Sequence, residues 1–324
     1  MRTTATILFT ASLILFISFS GSAQNAAEDP LHIQNARITS LGGLHTCLTS
    51  DTMTIFTNPA GFRSFDSELR VAEVTLALRG PIFSVTSALM QGGSFTQSQE
   101  FTDLLLNIHA GINLPGPVSF AYVGSGISLG LFHWADLELN SKGPLLLSVK
   151  FTDTLLFTGG YAFRIPLPGS TLDLGFQLKA LFRGATETTG ATLDIFSMLM
   201  ENPLDIFYAD EFVLSVGGGM DAGILYTLAD ILAVGITARD LYTPTIRTTY
   251  DSLGVFLGER TGNAVQSSGQ VPLDLSAGIR FSPPLGILGR FLSGLDIYMD
   301  YSDILDMVTH PSTAKNWILH LGIG

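Results

Sequence analysis

Over 171–183 apolar and polar residues alternate: Leu172, Leu174, Phe176, Leu178, Ala180 and Phe182 on one face, Asp173, Gly175, Gln177, Lys179 and Arg183 on the other. Successive side chains of a β-strand point to opposite sides, so this period predicts a strand with one greasy and one wet face. Over 212–227 the split repeats, Leu214, Val216, Met220, Ala222, Ile224 and Tyr226 against Ser215, Gly217, Gly219, Asp221, Gly223 and Thr227. Leu273, Leu275, Ala277, Ile279 and Phe281 oppose Asp274, Ser276, Gly278 and Arg280; Leu295, Ile297, Met299 and Tyr301 oppose Asp296, Tyr298 and Asp300. The same pattern predicts strands at 67–79, 116–123, 125–139, 145–164, 171–183, 212–227, 231–240, 273–282, 294–302 and 316–323, ten in all, with Phe132 and His133 breaking the alternation in the third. Segments of about ten residues suit tilted strands that cross a bilayer. Alternation alone does not say which face points inward.

The connections have an order of their own. Long ones (80–115, 184–211, 241–272) mostly interleave with short ones (165–170, 228–230), as in outer-membrane barrels, whose inner turns are short and outer loops long.

Composition sharpens this picture. Hydrophobic residues make up 46% and charged residues only 14%, with 34 glycines and a mean hydropathy of +0.39, yet beyond Ala23 no apolar run is long enough to cross a bilayer as a helix. A transmembrane barrel reconciles the two, since only alternate residues face lipid. Arg2, the uncharged apolar stretch 7–19 and the small residues Gly21, Ser22 and Ala23 predict a secretory signal peptide at 1–23, cut near Ala23. The single cysteine, Cys47, lies too far past that cut to be the acylated first residue of a lipoprotein, and is read as a small buried residue rather than a redox site. A net charge of −12 argues against nucleic acid as a partner.

Between leader and first strand, 24–66 is too irregular for membrane strands and too apolar for a linker, and is expected to fold inside the barrel. It carries Ala36, Arg37, Leu41, Gly42 and Gly43, then Asp51, then Asn58, Pro59, Ala60 and Gly61. This ordered pair of motifs resembles the hatch of FadL-type outer-membrane proteins, including the FadL-like barrels of spirochaetes and the related barrels of Bacteroidetes secretion systems. Leu44, His45 and Cys47 depart from the pattern. Read bottom-up, Asn58-Pro59 turns the chain and Gly42-Gly43 lets backbone pack closely; a hatch is made of such turns.

The resemblance implies an all-β fold: an antiparallel transmembrane β-barrel over 67–324 with an N-terminal luminal hatch, about fourteen strands against ten visible. The last strand (Trp317, Leu319, Leu321, Ile323) ends at Gly324 without the aromatic residue that barrel-assembly machinery reads. The chain is therefore expected to lack the C-terminal part of its barrel.

The resemblance further implies outer-membrane transport of hydrophobic compounds such as long-chain fatty acids. Phe101 and Leu105 in the first long loop, and Phe196, Met198, Leu199 and Phe207 in the second, are the expected capture surface; packing of these helices on each other as a lid is the alternative. Arg183, Arg239 and Arg280 are candidates to hold a ligand carboxylate, while inward charges of both signs are expected to pair and hold the hatch. No catalytic constellation, metal site or cofactor motif emerges: the six histidines lack metal-ligand spacing. Gly217-Gly218-Gly219 is expected to mark a bend or a place where the hatch meets the wall. Expected partners are membrane lipids, a fatty acid and the assembly machinery; the rival function is a non-transporting scaffold barrel holding a surface or secretion partner.

Overall fold

The structure is a computed structural model that describes residues 26–27, 38, 40–43, 45–49, 51–64, 66–72, 76–81, 109–142, 145–202, 205–284, 295–302, 304 and 319–323. The leader, Ala36, Arg37, Leu44, Phe101, Leu105 and Trp317 lie outside the described residues. The described strands are β1 (Ala26–Ala27), β2 (Glu68–Val71), β3 (Ala77–Arg79), β4 (His109–Gly124), β5 (Ile127–Ser141), β6 (Leu146–Leu167), β7 (Ser170–Ala191), β8 (Phe212–Leu228), β9 (Leu232–Tyr242), β10 (Pro244–Tyr250), β11 (Ala264–Gln270), β12 (Asp274–Phe281), β13 (Ile297–Tyr301) and β14 (Leu319–Ile323). The fold is all-β, one sheet in the order β14-β13-β12-β9-β8-β7-β6-β5-β4-β2. Among the described residues no helix is long and apolar enough to cross a membrane.

Several strands are halves of longer runs. β2 and β3 both pair with β4, and β9 and β10 both pair with β8, the path breaking at Thr243. β11 continues into β12 in the same way, β11 pairing with β10 and β12 with β9. The only parallel pairing among the described residues is β1 on β11.

Three boundaries differ from the sequence expectation. β4 starts at His109, not 116; its first half pairs with 134–140 of β5, and the register shifts between Pro115 and Ser119. Proline cannot donate to a ladder, so the strand absorbs this stretch as an irregularity instead of ending there. β7 runs on to Ala191, pairing with the first half of β6; Thr186, Thr188 and Thr189 favour extended backbone although they show no apolar period. The expected loop 241–272 holds β10 and β11.

The burial pattern resolves the direction of the alternation. On β7, Phe176 and Leu178 are 61% and 66% exposed, whereas Asp173 and Gln177 are 0% and 2% exposed. Ile224, Val234, Ile236, Ile279 and Met299 continue the exposed apolar face, and Ser215, Asp221, Thr237, Ser276 and Asp300 the covered polar one. A soluble sandwich has the reverse arrangement. On β6 the exposed apolar row runs from Phe157 to Leu167, ten rises or about 33 Å of strand.

The sheet also curves. Thr52 N–H donates to Glu68 on β2 (3.0 Å) and Thr46 N–H to Asp300 on β13 (2.6 Å). Those strands stand eight positions apart in the sheet order, about 38 Å in a flat sheet. Six residues of chain, two carboxylate side chains and the two hydrogen bonds reach at most about 35 Å when fully extended, and the turn in which Leu48 N–H donates to the His45 carbonyl (2.9 Å) shortens that span. The wall therefore bends around the segment that carries Thr46 and Thr52.

Candidate functional site

The polar face of the sheet meets residues 38–64. At Gly42 and Gly43 φ is 84° and 144°, the left-handed region where only glycine is unstrained, and the turn closes with Gly43 N–H donating to the Ile38 carbonyl (2.9 Å). Asp51 accepts from Met53 N–H (2.8 Å) and, through its carbonyl, from the Thr54 hydroxyl (2.6 Å), which starts the buried helix α1 (Thr54–Thr57). Asn58 ends α1 and caps the following 3-10 turn Pro59–Arg63: its Oδ1 accepts from Ala60 N–H (3.0 Å), with proline at the first turn position. The amide's other end, Nδ2, donates to the Ile224 carbonyl on β8 (3.2 Å).

The wall is shaped to receive this turn. Ala162, Gly175, Gly223 and Thr237 face one another across β6, β7, β8 and β9. A Cβ at Gly175 would collide with the backbone of Pro59 and Ala60, and one at Gly223 with the Asn58 side chain. Gly160 leaves room for the Phe62 ring, and Gly235 for Thr46 and Cys47. Sequence reasoning missed these positions; the signal was a glycine at the inward phase of an alternating strand. Gly217 and Gly219, by contrast, make room for Thr245 and Thr243 at the break between β9 and β10. The expected bend is there, and among the described residues the nearest neighbours of both glycines belong to the β9–β10 break and not to 38–64.

At the other end of the segment His45 and Asp300 are 0% and 1% exposed, with His45 Nδ1 2.6 Å from the carboxylate and Nε2 2.8 Å from the Leu41 carbonyl. Tyr298 stacks on the imidazole at 5.0 Å. Acceptors at both ring nitrogens suit the doubly protonated ring; burial alone would lower its pKa, but the bonds to Asp300 and Leu41 outweigh it and raise it. Cys47 is fully buried, its thiol donating to the Gly278 carbonyl (3.3 Å), and burial pushes its pKa up to about 12.

The wall charges pair mostly with one another. Arg164 grips Asp173 with two bonds of 2.7 Å, and Lys179 lies between Asp221 (2.8 Å) and Asp240 (2.7 Å). Asp300 and Glu68 reach the N-terminal segment, and Asp173 does so weakly through Ser64 (3.4 Å). Arg239 is held by Asp274 and by Ser276 (3.0 Å), so a ligand carboxylate would have to displace Asp274. Arg183 is buried on the same covered face, and the Nε of Arg280 is buried without a hydrogen-bond partner among the described residues. No group of three metal-ligating side chains comes together among the described residues.

Of the expected capture residues, the described side chains are those of Met198 and Phe207. α2 (Thr192–Glu201) carries Phe196, Met198 and Leu199, and α3 (Ile206–Ala209) carries Phe207; the side chains of Phe196 and Leu199 lie outside the described residues, and Met198 is exposed. Phe207 packs on Phe151 of β6, ring centroids 5.0 Å apart. The β6–β7 ladder has no register shift, so Phe151 points to the same side as exposed Phe157. Phe207 therefore sits against the outward face of the wall, opposite to the arginines.

Against known protein families, curated proteins and solved structures, the chain has no match.

Proposed function

We propose that the sheet is the wall of a closed outer-membrane β-barrel, that residues 38–64 form a hatch in its lumen, and that the protein passes hydrophobic compounds such as long-chain fatty acids across the outer membrane when the hatch shifts. The observation that carries the reading is the inverted order of faces: a sheet that exposes an apolar row about 33 Å long on β6 and covers Asp173, Asp221, Asp300 and Lys179 suits lipid outside and a polar interior. The segment 38–64, held by β2, β5 to β9, β12 and β13, supplies the hatch. The choice of cargo rests on the resemblance of its two motifs to FadL-type hatches. Native mass spectrometry of detergent-extracted protein is the test, with bound fatty acid as the expected result.

A second reading, a scaffold barrel whose hatch stays shut, is favoured by the glycine row that receives Asn58 to Ala60 and by the occupied guanidinium of Arg239. Consistently empty protein that co-purifies with a protein partner would decide for it.

A further inference from the structure

α2, α3 and α4 (Leu253–Phe256) form one continuous rim on the outward side of the sheet. Phe151 pairs with Thr186, Val149 with Thr188 and Leu147 with Gly190, all in the phase of exposed Phe157 and Phe182. Ile195 of α2 lies on Gly190, the Thr188 hydroxyl donates to the Ile206 carbonyl (2.9 Å), and Phe207 of α3 meets Phe151. Phe256 of α4 packs at 4.9 Å on Phe212, and Arg260, just past α4, lies over the Tyr208 ring of α3 at 5.7 Å. The rim stands clear of the apolar row. Asp153 pairs with Gly184, two residues beyond Phe182, and holds His133 at 2.6 Å with both side chains partly exposed. A polar belt thus separates the row from the helices, and the covered strip begins at Thr186, four residues or about 13 Å past Phe182.

Two kinds of side chain face out from this rim. Leu193 on α2 and Leu257 after α4 are 58% and 51% exposed, and Met198 and Phe256 are exposed with them. Leu145 and Leu146 enlarge the first spot: both are exposed, the Leu145 carbonyl accepts from Thr192 N–H (3.0 Å), and Leu146 pairs with Ala191. The same segments carry Asp194, Glu201, Asp205, Asp210, Glu211 and Glu259, all exposed and none in an ion pair among the described residues. Arg260 is the one cation of 192–211 and 251–263. Clustered leucines past a polar belt mark a surface with a partner, and unpaired carboxylates of one sign repel each other. A partner that brings both apolar side chains and positive charge relieves both costs.

We infer that this rim is a docking surface for a cationic amphipathic segment of another protein, whose apolar residues seat on Leu193, Met198 and Leu257 and whose lysines or arginines meet the surrounding carboxylates. Charge decides among the occupants. A second copy of this chain, with its net charge of −12, brings more of the same sign, and so do the phosphates of anionic lipids. A metal ion would satisfy carboxylates but leave the leucines bare. The inference goes beyond the transport reading: it needs only that the rim face the medium, and it holds whatever passes through the sheet.

The test uses the full chain in phosphatidylcholine nanodiscs and a fluorescent synthetic helix of lysine and leucine, with leucines at i, i+3, i+4 and i+7. Binding is read as the anisotropy change above that of empty nanodiscs. Two comparison peptides carry glutamate for every lysine or serine for every leucine, and each is expected to bind about tenfold more weakly or worse. Leu193→Ser with Leu257→Ser, at exposed positions that leave the fold intact, should weaken binding about tenfold. Asp194→Asn with Asp205→Asn and Glu259→Gln should do the same at about 0.1 M salt, where charges act over about 10 Å. Asp66→Asn with Asp230→Asn, exposed carboxylates at the short-turn end, should change nothing. The inference is overturned by no binding above empty nanodiscs, by equal binding of either comparison peptide, or by unchanged affinity in the leucine or the carboxylate variant. Equal weakening by the changes at 66 and 230 also overturns it, since attraction would then follow net charge alone. The membrane wall stands or falls independently of these results.

Discussion

His45 and Asp300 lie 255 residues apart in sequence and touch at 2.6 Å, both shut off from solvent. They fasten one end of the N-terminal segment to β13. Because the imidazole's pKa is raised above its unfolded value of 6.5, the contact contributes fully below that pH and loses its contribution as pH climbs through the folded value. Stability against urea should therefore fall as pH rises above 6.5 in the wild type, and His45→Gln should flatten that dependence. Asp300→Ala, which leaves a buried partner unpaired, should cost about 3–5 kcal/mol at pH 6.

Gly175 accepts the backbone of Pro59 and Ala60 with no space for a side chain. Gly175→Val should force the turn off the wall, with a loss of about 1–3 kcal/mol and faster proteolysis within 40–64. Gly218, on the outward face, meets only a backbone oxygen at 3.6 Å, and Gly218→Ala should stay within about 0.5 kcal/mol. Equal effects at both positions would refute the role of the glycine row.

Asn58 uses both ends of its amide, one for Ala60 N–H and one for the Ile224 carbonyl. Asn58→Ala should cost about 1–3 kcal/mol. Asn58→Asp keeps the cap but turns a carboxylate oxygen toward the Ile224 carbonyl, so it should be worse than alanine near neutral pH. Denaturation midpoints of the two variants give the order.

Cys47 is buried and its pKa stands near 12, so at pH 8 it holds almost no thiolate. A water-soluble maleimide should leave the folded protein unmodified for hours and modify it within minutes in denaturant. Rapid labelling of folded protein would mean that the segment 45–49 opens to solvent.

Much of the wall was legible in the sequence, because Leu172 to Phe182 and Leu214 to Tyr226 keep strict period two and the sheet preserves it. Alternation alone did not give the direction of the faces, being identical for a sheet and its inverse; the leader and the strand length tipped the expectation toward polar residues inside, and the structure covers Asp173 and Gln177. The far ends of β4 and β7 escaped because Pro115 and the threonines of 186–189 carry no apolar rhythm. The motif pair around Gly42 and Asn58 marked the segment that packs on the covered face, yet its receptors, Gly175 and Gly223, have no side chain to draw attention. The placement of Phe207 was hidden for another reason: a greasy loop reads the same whether it folds over a mouth or against an outer wall.

The central claim is that the exposed apolar face meets lipid and the covered polar face meets a lumen filled by the hatch. It is tested most directly by single cysteines at each position from 172 to 183 of β7, in the Cys47→Ala background in vesicles, labelled in parallel with a lipid-soluble and a water-soluble reagent. The account predicts period two, with 174, 176, 178 and 182 labelled from lipid and 173, 175, 177 and 179 protected from it. Uniform labelling from water along the strand, or the opposite phase, would contradict it.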